Sequence, residues 1–212
     1  MTRPTVALVV GLVLTGFVLA LTLSGSPLVV TAVNATPANQ PILRAGSDTA
    51  VCQSGEALPA GISALRFTMV AVVGPRVAVT VSSGSHVLTS GVAGSGWTSG
   101  AVTVPVKPLA HAVSGARLCF KLGRSAESVE LGGSATSAAL AATRAGGVPL
   151  AGRFTVEYMR PGQDSWWSLT KTVARQMGLG RAPAGSWVAL FLILAMGTVL
   201  ALSSWLLVRE LG

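Results

Sequence analysis

Charge is scarce in this chain. Asp, Glu, Lys and Arg make up 10% of its 212 residues, and its mean hydropathy is +0.65, values that exclude an ordinary soluble domain and point first to membrane segments. The chain has two cysteines, Cys52 and Cys119, and two histidines, His86 and His111. They are too few and too dispersed for a zinc site, and no other metal or cofactor is expected. Phosphate-binding glycine loops, dinucleotide fingerprints and nucleophile elbows are all missing. The acids expected on the exported side are Asp48, Glu56, Glu127, Glu130, Glu157 and Asp164. Only Glu127 and Glu130 are close in sequence, and three residues apart on a strand they face opposite ways. Two carboxylates so placed cannot share a general acid/base task, so the expected role is not enzymatic. The net charge of +8 comes from 15 Lys and Arg that never form a run, which speaks against nucleic acid as a partner and leaves lipid headgroups, anionic polymers or plain solubility as its use.

Two long apolar runs are present. Residues 6–23, VALVVGLVLTGFVLALTL, hold 18 residues without a charge, about 27 Å of helix and enough to cross a hydrocarbon core. Residues 187–208, WVALFLILAMGTVLALSSWLLV, hold 22 and span with room to tilt. The first run reads as an uncleaved anchor or as a signal peptide cut near Val33-Asn34-Ala35. Either way Arg3 stays cytoplasmic, residues 24–185 are exported, and Arg209 closes the second span on the cytoplasmic side. Trp187 and Trp205 suit an aromatic belt. Gly16 with Ala20, and Gly197 with Ala201, form small-xxx-small pairs that let helices approach. No ionisable group lies within either run, which argues against a transport path through this chain alone.

The exported segment alternates with period two. ALRFTMVAVV (64–73) sends Leu65, Phe67 and Met69 to one face and Arg66 and Thr68 to the other; RVAVTVSS (76–83) repeats the pattern with Val77, Val79 and Val81. Gly74-Pro75 marks the turn between them. HVLTSG, AVTVPV, ARLCFKL, SVEL and RFTVEYMR add candidates, giving seven or eight short strands. The expected fold is mainly β: an antiparallel β-sandwich, immunoglobulin-like or jelly-roll, with a transmembrane helix at each terminus and an amphipathic helix beside the membrane. Export agrees with a Cys52–Cys119 disulfide. Because ARLCFKL directs Leu118, Phe120 and Leu122 inward, Cys119 falls on the outer face, and the bond is expected to tie a strand or terminal segment to the sheet without crossing the core.

Between strands, residues 82–100 are rich in Gly and Ser around Trp97, which either plugs the end of the sandwich or offers its ring to a sugar. His86 in SGSHV reads as part of a turn. Residues 132–147, GGSATSAALAATRAGG, read as a short helix or a surface loop. After the strands, DSWWSLTKTVARQMGLGRAP has an N-cap in Asp164 or Ser165 and glycine stops at 178 and 180. Trp166, Leu169, Val173 and Met177 recur at helical spacing, with Lys171 and Arg175 among the polar remainder and Trp167 beside the stripe. That pattern suits a helix lying on a bilayer, or one packed beneath the β domain.

The organisation expected is therefore an anchor or signal (1–23), an extended linker (24–49), a β-sandwich (50–162), an interfacial helix (163–181), a second span (187–208) and a cytoplasmic tail (209–212). In the series GPRVAVTV, SGWTSGAVTVPVKPL, LCF and SWWSLTKTVARQMGLGRAPAGSWVAL, the chain resembles poorly characterised exported-domain membrane proteins of high-GC Gram-positive bacteria, whose counterparts are similar to segments beside or joined to multispanning, glycosyltransferase-like envelope proteins. The resemblance covers residues 51–190 and names no catalytic residue. It implies a setting in envelope polysaccharide or glycolipid assembly. With Gly212 directly after the second span, a polytopic partner, glycosyltransferase-like or a transporter, is expected on a separate polypeptide. The function expected is a noncatalytic accessory or scaffold subunit in the cell membrane, its central domain extracytoplasmic and in contact with membrane lipids. The alternative is a module that binds glycan or anionic polymer through Trp97; an envelope hydrolase ranks third.

Overall fold

The computed structural model describes residues 3–34, 36–38, 40–45, 49–124, 128–136, 141–144, 148–150, 152–176 and 197, with side chains of the first helix placed from Val10 onward. The chain divides into a β unit, Leu28–Pro161, and a second unit combining Met1–Pro27 with Gly162–Gly212.

The β unit consists of antiparallel strands β1 (Leu28–Val33), β2 (Gln40–Ala45), β3 (Ala50–Leu58), β4 (Ala64–Val70), β5 (Val77–Ser83), β6 (His86–Ala93), β7 (Gly100–Pro105), β8 (Val113–Leu122), β9 (Val129–Ala135), β10 (Thr143–Arg144), β11 (Gly152–Phe154) and β12 (Val156–Pro161). A seven-stranded sheet runs β1-β12-β4-β9-β11, with β7 joined to β4 and β2 to β9; a five-stranded sheet runs β10-β3-β8-β5-β6. Alternation decides the inner faces as expected. Leu65, Phe67 and Met69 on β4, Val77, Val79 and Val81 on β5, and Leu118, Phe120 and Leu122 on β8 are all at most 1% exposed. Phe67 and Phe154 from one sheet meet Phe120 from the other, with Phe120 edge-on to Phe154 at 5.3 Å between centroids.

The expected linker is corrected. Residues 28–33 and 40–45 are strands β1 and β2, so the β unit begins at Leu28 and not at residue 50. β1 pairs along β12 from Leu28↔Pro161 to Val33↔Glu157, and β2 pairs along β9 with an irregularity next to Pro41, a place where an edge strand tolerates proline. A fork explains why β1 is needed. β4 and β9 pair only at Met69↔Leu131 and Val70↔Glu130, and residues 152–161 enter the gap, β11 along β9 and β12 along β4, with Thr155 at the corner. At that corner Thr155 N–H still donates to Gly132 O at 3.1 Å, and the Asn34 side chain serves the other edge: its Nδ2 donates to Phe154 O at 2.9 Å and its Oδ1 accepts from Val156 N–H at 3.0 Å. Thr155 Oγ1 donates to Thr36 O at 2.8 Å.

The helix or loop expected over 132–147 is corrected in its described parts. Gly132 and Gly133 continue β9, and Thr143–Arg144 is a strand paired with Val51 and Cys52. A Cβ at Gly133 would lie 2.0 Å from Arg153 O, so this glycine admits β11 and does not end an element.

In the second unit, α1 spans Arg3–Ser24 and α2 spans Trp166–Gln176. Gly162 N–H donates to Pro27 O at 2.7 Å and Trp166 N–H to Gly25 O at 3.2 Å. Among the described residues no helix is long and apolar enough to cross a membrane, α1 being described with its side chains only from Val10 to Ser24. The span expected at 187–208 lies outside the described residues except for Gly197.

Candidate functional site

Cys52 and Cys119 face each other directly across β3 and β8 and are bonded, with Cα atoms 4.0 Å apart, the close spacing of a pair between ladder hydrogen bonds. The bridge lies on the outer face of the five-stranded sheet, opposite the core side of Leu118 and Phe120, where alternation places it. It ties two neighbouring strands.

Trp97 lies at the end of the unit carrying the β4–β5 and β6–β7 connections. Its Nε1–H donates to Pro75 O at 2.7 Å, its carbonyl accepts from Gly74 N–H at 2.6 Å, and its ring packs against the core. Gly74 is required here, because a Cβ at that position would stand 2.0 Å from the indole ring. The ring seals this end and its one polar atom is already bonded. His86 sits at the β5–β6 turn opposite Ser83, and His111 in the β7–β8 connection; both are exposed. Among the described residues no cluster of three His, Cys, Asp or Glu could hold a metal ion. Glu130 pairs with Arg44 at 2.6 Å; Glu127 lies outside the described residues.

The residues missed at the sequence level form a buried polar pin between the sheets. On β3, strict alternation would point Gln53 inward and Glu56 outward. A register shift between Gln53 and Glu56, with Gly55 in the left-handed region at φ 78°, inserts one extra residue and turns Glu56 in. The Glu56 side chain is 1% exposed. Its carboxylate accepts from Gln53 Nε2 at 2.6 Å, from the Arg153 guanidinium of β11 and from the Tyr158 hydroxyl of β12. Gln53 also brackets the backbone of Phe154, its Oε1 accepting from Phe154 N–H at 2.9 Å and its Nε2 donating to Phe154 O at 3.2 Å. Burial, and then the adjacent Glu56 carboxylate, push the Tyr158 hydroxyl well above its ordinary range, with Arg153 acting the other way. Such a network is satisfied at each group and specifies how the two sheets meet. The sequence signal was the Ser-Gly-Glu run within β3, which reads equally well as a polar turn.

The helical candidates stand as follows. Ser165 caps α2, its carbonyl accepting from Leu169 N–H at 3.2 Å and its Oγ from Ser168 N–H at 3.4 Å. Trp166 and Trp167 are 44% and 53% exposed, Leu169 is half-buried, and Lys171, Val173 and Arg175 fall within the helix. Met177, Trp187, Ala201 and Trp205 lie outside the described residues. Gly16 and Ala20 are exposed on α1, and a Cβ built at Gly16 or at Gly197 meets nothing within 4 Å. Comparison with protein-family models, with curated proteins and with solved structures gives no match.

Proposed function

We propose that the chain is a noncatalytic, membrane-anchored accessory or scaffold subunit that holds its β unit at the outer face of a membrane beside a larger membrane protein, in a system that assembles envelope polysaccharide or glycolipid. One observation carries the anchored reading: β1 and β12 lie side by side with Leu28 opposite Pro161, so the chain reaches and leaves the β unit at the same place. In sequence these points are flanked by an apolar helix of 22 residues, with Val13 64% and Phe17 60% exposed, and by a helix beginning with two exposed tryptophans. A helix apolar on all sides needs either protein or lipid around it, and adjacent Trp with nearby Lys and Arg suits headgroup depth. The noncatalytic reading is supported by the pin, where the most buried ionisable groups bond one another. The envelope setting rests on the sequence resemblance.

The test is crosslinking in native membranes followed by purification in mild detergent. A multispanning envelope enzyme or transporter recovered with the chain supports the subunit reading; a monodisperse chain that crosslinks to no protein removes it.

A further inference from the structure

The short connections define two ends of the β unit. Residues 59–63, 84–85 and 106–112 join strands at the end where the chain arrives at Leu28 and departs at Pro161; residues 71–76 and 94–99 join them at the far end. Charge is unequally divided between these ends. Three of the cations are matched to carboxylates, Arg44 to Glu130, Arg66 to Glu157 and Arg153 to Glu56, and Lys121 and Arg124 at the far end also have partners. Among the β-unit residues whose side chains are described, Arg76, Lys107, Arg117 and Arg160 have no carboxylate partner. Three of these four belong to the near end. Lys107 follows β7, Arg117 stands opposite Ser82 one pair from the β5–β6 turn, and Arg160 stands opposite Val29; all three are exposed.

Apolar surface accompanies this charge. Leu58, Pro59, Ala112 and Val113 line a shallow groove at the same end, and Leu28, Val29 and Val30 of the edge strand are about 40% exposed. The near end is also firm: Gly61 N–H donates to Leu109 O at 2.7 Å, Val106 N–H to Ser63 O at 2.8 Å and Ser63 N–H to Met159 O at 2.8 Å.

We propose that this end of the sandwich is a docking face for a bilayer rich in anionic phospholipid, with Lys107, Arg117 and Arg160 on headgroup phosphates around an apolar floor. Basic side chains bordering exposed apolar groups are what an anionic interface selects, whereas a soluble polyanion has no use for the apolar floor. The proposal rests on the anchored reading above, and adds that the β unit itself touches lipid.

The test uses the full chain in vesicles of neutral lipid and in vesicles enriched in phosphatidylglycerol, with hydrogen–deuterium exchange read in residues 59–63 and 106–112. Anionic lipid is expected to slow exchange there and to leave residues 94–99 unchanged. Joint replacement of Lys107→Gln, Arg117→Gln and Arg160→Gln lowers the docked-to-undocked ratio by roughly a hundredfold, about fivefold for each basic side chain, and abolishes the slowing. Arg76→Gln at the far end leaves it intact. If the triple variant loses protection throughout β4 and β8, and so fails to fold, Lys107→Gln alone carries the test with its fivefold loss. Equal exchange in both lipids overturns the proposal, as does slowing that survives the triple replacement. Slowing that soluble phosphate removes, and chloride at the same ionic strength does not, also overturns it, by assigning the cations to a dissolved anion. Alkaline carbonate extraction is scored separately: release of the chain removes the anchored reading, while the lipid-dependent exchange still decides the docking face.

Discussion

Cutting the polar pin from its two sides should give unequal losses. The Glu56 side chain is 1% exposed and that of Arg153 19%. Arg153→Met takes away the guanidinium and leaves a buried carboxylate with only Gln53 and the Tyr158 hydroxyl as donors; an uncompensated buried charge costs about 3–5 kcal/mol. Glu56→Gln keeps the shape and one acceptor. It leaves behind a guanidinium that still donates to Ser54 O at 3.1 Å and is exposed enough to turn other N–H groups to water, so the loss is about 1–2 kcal/mol. Against a total of about 5–15 kcal/mol for a domain, the first change removes a large fraction of stability and the second is tolerated. Urea melts of the purified chain in mild detergent, followed by the far-ultraviolet strand signal and compared at equal m-value, measure both. A loss below about 1 kcal/mol for Arg153→Met, or a larger loss for Glu56→Gln, would refute the reasoning, because it would mean that water reaches Glu56.

Three further outcomes follow from the same geometry. Replacing Cys52 and Cys119 together by Ser should cost about 4 kcal/mol, since the bridge closes a loop with a separation of 67 residues; reducing agent should lower the melting temperature of the parent and not that of the variant. Tyr158 is the sole tyrosine, and burial together with Glu56 raises its pKa. Its contribution to stability is thus complete below about pH 10 and falls above it, by about 1.4 kcal/mol per pH unit, because only the unfolded chain ionises there; tyrosinate absorbance that appears near pH 10 without loss of the strand signal would contradict this. Gly74→Ala should cost about 1–3 kcal/mol beside Trp97 and little beside Trp97→Ala, a coupling read from the four melting curves of a double-mutant cycle and lost if the ring does not cover Gly74.

What the sequence made legible was whatever obeys period two. β4, β5 and β8 each present three large apolar residues at alternate positions, so their inner faces, and with them the outward placement of Cys119, follow from the pattern alone. β1, β2, β3 and β10 were missed for separate physical reasons; AVCQSGEAL of β3 loses its alternation at Gly55. LVVTAV follows directly on an apolar helix and blends into it, QPILRA contains a proline that only an edge position forgives, and Thr143–Arg144 is a strand by pairing alone. The pin was illegible because it depends on breaking the rule that exposed the rest: one extra residue at Gly55 reverses the facing of Glu56, and nothing in the surrounding composition announces a bulge. Asn34 was missed likewise, since a side chain that stands in for strand hydrogen bonds is recognisable only once Thr155 is seen at a corner.

The corrected boundary also bears on the choice between scaffold and capture module. A linker over 24–49 would let the sandwich range widely, which suits a module that captures distant polymer. Instead only residues 25–27 separate α1 from β1, and only residues 162–165 separate β12 from α2. At 3.3–3.6 Å per extended residue, connections of three and four residues reach roughly 10–15 Å. Two such connections leave the chain less length to range over than one long tether would, and freedom grows, if slowly, with loop length. A β unit entered and left through two short connections, with its interior polar groups bonded to one another, suits the proposed scaffold better than a module that captures distant polymer. On the proposed scaffold reading, the end that carries Leu28 and Pro161, and not the loop around Trp97, is the surface on which to seek function.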